Sequence, residues 1–189
     1  MSRTRAAAVG ALLLAALSTS ACTPGENAVV GVSVDTQGRP VGVVAVCDGQ
    51  INSASLWSLD PRADPSATPL PEASYSALPT EREQVRWTPE QPVTDVGTWS
   101  VTTGEPWTAA GSPSLDKGVS YSIAAENVTF RDGDTTGISS YARSVEFTLA
   151  DLAALKPGEV RWAVGYSRAA AGQGAVVSIT EFRETACRR

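Results

Sequence analysis

Histidine is absent from this 189-residue chain. Its absence removes the commonest general base and metal ligand, together with every Ser-His-Asp arrangement. Cation is also scarce, with 15 Lys and Arg against 20 Asp and Glu and a formal charge of −5. Nucleic acid and anionic membrane surfaces both select for a basic patch, so neither is expected as an electrostatic partner. Long hydrophobic runs are missing too. The most apolar stretch, Ala6 to Leu17, falls short of the roughly 18 to 20 residues that a bilayer-spanning helix needs. Cysteine is rare and odd in number, at Cys22, Cys47 and Cys187.

The short apolar stretch has a plain use. Arg3 and Arg5 precede it, and small residues Ser18, Thr19, Ser20 and Ala21 follow, which is the tripartite plan of a secretory signal peptide over residues 1–21. Thr4 separates the two arginines, which excludes a twin-arginine signal. Removing the leader takes the formal charge to −7.

Thr19-Ser20-Ala21-Cys22 resembles the lipobox of bacterial lipoproteins. The resemblance implies that Cys22 is acylated, becomes the mature N-terminus and anchors the chain to the extracytoplasmic face of the cell membrane. Residues 22–28 are then a tether reaching about 25 Å at roughly 3.3 to 3.6 Å per residue. Residues 29–189 are one domain, a length able to bury a substantial core. With thirteen arginines, two lysines and abundant alanine, the whole plan is similar to small lipoproteins of high-GC Gram-positive bacteria.

Once Cys22 is assigned to the lipid, Cys47 and Cys187 remain. In an exported chain two thiols make a disulfide more often than a metal site. The bond would close a loop of 140 positions and contribute about 5 kcal/mol at most by chain-entropy reasoning. It would fasten the C-terminus to an early strand. No metal and no cofactor is expected.

Alternation of period two dominates from Val29 onward. Val30, Val32 and Val34 share one face, and Val41 to Cys47 is apolar on both, predicting a hairpin around Thr36-Gln37-Gly38-Arg39. Further strands are expected at Ile51 to Leu59, near Trp99, from Val119 to Ala125, from Val145 to Leu149, from Val160 to Tyr166 and from Ala175 to Phe182. Seven prolines between Asp60 and Pro92 predict an irregular excursion, with a short edge strand at Gln84 to Trp87. One helical turn is expected near residues 150–155, stopped by Pro157-Gly158. The fold class is therefore all-β, an antiparallel Greek-key sandwich of about eight or nine strands. Leu149 to Val164, "LADLAALKPGEVRWAV", resembles the corner between the two sheets of fibronectin type III and immunoglobulin-like domains, with Trp162 in place of the usual tyrosine.

The chemical motifs are weak. Ser114-Leu115-Asp116-Lys117 matches S-x-x-K but lies between Pro113 and Gly118, without the companion motifs of β-lactam-binding enzymes. Gly165-Tyr166-Ser167-Arg168-Ala169 has no histidine to activate its serine, and Asp132-Gly133-Asp134 is a hairpin turn rather than a calcium loop. No catalytic residue is assigned. Trp57, Trp99 and Trp162 sit in strand patterns and are expected in the core. Trp87 and Trp107 each lie within two residues of a proline and are the candidate exposed ligand-binding residues. The resulting expectation is a lipid-anchored, non-catalytic binding or protein-interaction module for an envelope protein or glycan. The alternatives are a cell-envelope enzyme using paired carboxylates on a glycan and a carbohydrate-binding module using exposed tryptophan.

Overall fold

A computed structural model describes residues 24–59, 81–131, 134–163 and 174–188. Residues 1–21, read above as a leader, Cys22, residues 60–80 of the proline-rich excursion, Asp132-Gly133, Gly165 to Ala169 and the end of the strand expected from Val160 to Tyr166 lie outside the described residues.

The first hairpin forms as its alternation predicts. β1 (Gly25–Val34) and β2 (Pro40–Val46) pair in antiparallel register from Ala28↔Val46 to Val34↔Pro40. Asp35 closes the turn by accepting the backbone N–H groups of Gln37 and Arg39 at 2.8 and 2.9 Å, with Gly38 at φ 76°. These bonds, that from Arg39 foremost, hold the Asp35 carboxyl below its ordinary range.

β1 also organises the rest of the sheet. Its first half runs parallel to β8 (Asp134–Arg143), with Gly25 opposite Ser140 and Val29 opposite Arg143. Its second half pairs antiparallel with β10 (Glu159–Trp162), which carries β11 (Ala175–Ser178) at the edge. On the far side β8 pairs β7 (Ser120–Arg131), followed by β3 (Ser53–Leu59), β4 (Glu81–Thr88) and β6 (Thr108–Ala110). β5 (Val96–Ser100) adds to β2, and β9 (Val145–Thr148) continues the β8 edge of β7.

The result is one curled, mixed sheet, and the β1–β8 pairing corrects the all-antiparallel expectation. β1 begins four residues before Val29 because Gly25-Glu26-Asn27 is ordered by β8, not by apolar alternation. Glu26 and Arg143 seal that pairing with an ion pair of 2.6 Å. β4 is longer than expected, and β6 covers it over Arg86–Thr88, while from Glu81 to Val85 only β3 pairs with it among the described residues.

The main core lies inside the curl. Val30, Val32, Val34 and Val44 face Leu56, Val85, Tyr121, Ile123 and Phe147, all buried. Gly42 belongs to this face: the Trp99 indole lies over it, and a Cβ there would collide with the ring. A second apolar cluster, Val29, Val43, Ala45, Val160, Phe182 and Ala186, covers the opposite face of β1, β2 and β10.

Two helices lie among the described residues. α1 (Leu149–Ala154) starts at a capping box in which the Thr148 hydroxyl accepts the Asp151 N–H and the Asp151 carboxylate accepts that of Thr148. It carries the chain from β9 to β10, beside β1, at the corner singled out in the sequence. The strand expected from Ala175 to Phe182 stops at Ser178, whose hydroxyl accepts the Glu181 N–H at 3.1 Å and starts α2 (Ile179–Thr185). Phe182 of α2 is fully buried in the second cluster. Cys47, just after β2, is bonded to Cys187, just after α2, with a Cα–Cα distance of 5.2 Å. The disulfide therefore fastens the C-terminal helix onto the sheet.

Candidate functional site

The two tryptophans expected at the surface are in the core. Trp87 is 0% and Trp107 7% exposed. Trp87 stands opposite Ala54 and shares its strand face with Val85, so register turns it inward despite the proline that follows. Trp107 folds back by donating its backbone N–H to the Gly104 carbonyl at 2.7 Å. It stacks on Trp99 with ring centroids 4.4 Å apart, and Trp87 tilts against Trp99 at 5.7 Å. These three indoles form a packed aromatic wall, not a platform for a ligand.

Two tryptophans expected in the core lie partly outside it. Trp162 is half-buried and meets Phe182 edge-on at 5.7 Å. Trp57 follows inward-facing Leu56 and so points to the outer face of β3, where its Nε1 donates to Ser55 Oγ at 2.9 Å. A register shift in the β3–β4 pairing places Glu83 directly opposite it.

This outer face is where polar chemistry converges. Cross-strand pairing sets Ser55 between Arg86 and Ala124, Trp57 between Glu83 and Ser122, and Ser53 beside Glu126. Trp57, Glu83, Arg86 and Glu126 thus surround a floor of small residues, of which Ser53 and Ser55 are buried. Arg86 grips Glu83 with two parallel bonds, Nε to Oε1 at 3.0 Å and an Nη to Oε2 at 2.9 Å. Those bonds raise the Arg86 pKa further. Burial pushes the Glu126 carboxyl up; Arg86 opposes the shift and Glu83 adds to it. A planar fork, a half-buried carboxyl and an indole on one face offer donors, acceptors and apolar area to a hydroxyl-bearing or peptide ligand. Sequence reasoning missed this cluster because its members are scattered over β3, β4 and β7. The available signal was alternation: Leu56 inward dictates Trp57 outward.

The S-x-x-K residues serve a turn. Tyr121 Oη accepts the Asp116 N–H at 2.6 Å and donates to the Ser114 carbonyl at 3.2 Å, while the Ser114 hydroxyl reaches only Asp116 at 3.5 Å. Among the described residues no group of three or more acidic or cysteine side chains is placed to hold a metal ion. Comparison with protein families, curated proteins and solved structures returns no match to this chain.

Proposed function

We propose that this chain is a lipid-anchored, non-enzymatic binding or protein-interaction module on the extracytoplasmic face of the cell membrane. The observation that carries the reading is the Cys47–Cys187 bond. It is the state that export favours, and it leaves Cys22 as the one thiol without a partner cysteine, three residues before β1. The lipobox gives that thiol its use. The immunoglobulin-like sandwich remains our reading of the curl, supported by the α1 corner and by a core lined from both arms of the sheet. The ligand surface is the face around Trp57 and Arg86, and its partner is an envelope protein segment or a glycan. Cell fractionation of wild type and Cys22→Ala tests the anchor. The wild type belongs in the membrane fraction and the variant in the soluble fraction or as unprocessed precursor; a soluble wild type overturns the reading.

A second reading has one specific support. Burial raises the Glu126 pKa and the Glu83 carboxylate adds to the shift, and two carboxyls on one face, one of them held above its ordinary range, is a pattern that acid catalysis on glycans uses. The separate changes Glu83→Gln and Glu126→Gln decide between the two. Loss of glycan turnover in both would favour the enzyme; retained or weakened ligand binding with no turnover in any form favours the module.

A further inference from the structure

β7 and β8 outrun the rest of the sheet. β3 stops pairing with β7 at Ser53↔Glu126, and β8 meets β1 only from Ser140 to Arg143. Beyond those points, among the described residues, 128–131 and 134–138 pair only with each other, as a two-stranded ribbon. Asn52 sets the base of the ribbon, its side-chain amide donating to the Val128 carbonyl and accepting the Val128 N–H, both at 2.8 Å.

The direction of the ribbon is fixed by the parallel pairing. Because Gly25 lies opposite Ser140 and both strands run the same way, the chain before Gly25 and the ribbon before Ser140 leave the sheet on the same side. Cys22 is three residues from Gly25, a span of at most about 10 Å. Asp134 is six residues from Ser140, a span of about 20 Å along a strand. An anchor at Cys22 would hold the domain closer to the bilayer than the ribbon is long, so the ribbon could not stand end-on clear of the lipid and would lie along its surface.

Its surface suits that contact. Of the three large hydrophobic side chains exposed among the described residues, two are on β8: Ile138 at 40% and Tyr141 at 39%. Ile138 stands opposite Val128 and Tyr141 opposite Glu126, with Ser139 as the extra residue between them. Val128 and Glu126 are two apart on β7, so Ile138 and Tyr141 share one face despite their odd spacing. Tyrosine favours the headgroup layer, where its ring is apolar and its hydroxyl wet. The acidic chain offers little electrostatic attraction, so apolar contact has to supply the adhesion.

We propose that the β7–β8 ribbon rests along the bilayer that holds the Cys22 lipid, with Ile138 on the ribbon and Tyr141 at its base, between Glu26 and Glu126, entering the headgroup layer. The proposal rests on the lipoprotein reading, and its test separates the two. Full-length acylated protein bearing an environment-sensitive fluorophore at Ile138→Cys, or at Tyr141→Cys, is reconstituted into phosphatidylcholine and phosphatidylglycerol vesicles. Gln37→Cys, in the turn at the far end of β1, is the reference. At 138 and 141 the expected result is blue-shifted emission, quenched severalfold more than at 37 by lipids spin-labelled near the headgroup. If acylated protein gives water-like emission at all three positions, the ribbon proposal is overturned while anchoring stands. A shift that spin-labelled lipids do not quench, and that grows with protein density, marks contact with a second copy and also overturns it. Protein that carries no acyl group and does not join the vesicles sinks the anchor itself.

Discussion

Tryptophan placement was decided by neighbours at two removes. Trp99 could be read as core from its alternation with Val101, and it is 1% exposed. Trp87 obeys the same rule with Val85, but the nearby proline suggested a surface. Pro89 ends the ladder after Thr88 without changing which side the Trp87 indole faces. Gly42 is the complementary detail, a glycine within a strand because an indole occupies the place of its side chain. Gly42→Ala should destabilise the fold by about 1 to 3 kcal/mol through overpacking, although alanine suits a strand better than glycine; denaturant unfolding followed by tryptophan emission measures it. Glu126 carries a pH signature. Its folded pKa lies above its unfolded one, so the folded chain holds the proton more tightly and ionisation costs stability. The penalty is absent below the ordinary glutamate range and complete above the raised value. Glu126→Gln should therefore raise the unfolding midpoint near about pH 7 and leave it unchanged near about pH 3. A lowered midpoint at neutral pH would show that the attraction of Arg86 outweighs burial.

At the scale of elements, legibility followed the source of each element's stability. β1, β2, β7 and β9 carry their own apolar alternation and were readable. β8 does not: Thr135, Thr136, Gly137, Ser139 and Ser140 have no apolar period, and the strand exists because β7 and β1 supply its hydrogen-bond partners. The parallel pairing was invisible for the same reason, since no local pattern encodes which distant strand lies alongside. α2 was legible in principle from Ser178-Ile179-Thr180-Glu181, a capping signature, but the apolar Val176 and Val177 ahead of it read as a continuing strand. Seven residues cannot sustain a helix in water, so α2 depends on Phe182, on Ala186 and on the disulfide. Phe182→Ala should cost about 3 to 5 kcal/mol and speed hydrogen exchange first in residues 179–188, leaving protection of β7 and β3 near its native level. Uniform loss of protection across the molecule would contradict the separate second cluster.

For the whole molecule, composition and period supplied the β class and the location of most strands, and the Cys47–Cys187 partnership followed once the lipobox resemblance had set Cys22 aside. The sequence did not supply the curl, the shared role of β1 in both arms, or the polar face around Trp57, which exists only once three distant strands are aligned. The disulfide ties the largest loop the chain can close between two described cysteines. The Cys47→Ser/Cys187→Ser variant should unfold at a lower midpoint, by at most about 5 kcal/mol, and a chelator should leave the wild type unchanged. The division of labour among the three cysteines is the most direct point of contact with experiment. Peptide mass mapping of the membrane-extracted protein, alkylated without reduction, reads all three at once. The expected result is an acylated N-terminal Cys22 together with a Cys47–Cys187 cross-linked pair. An alkylated, lipid-free Cys22, or Cys22 cross-linked to either of the others, would contradict it.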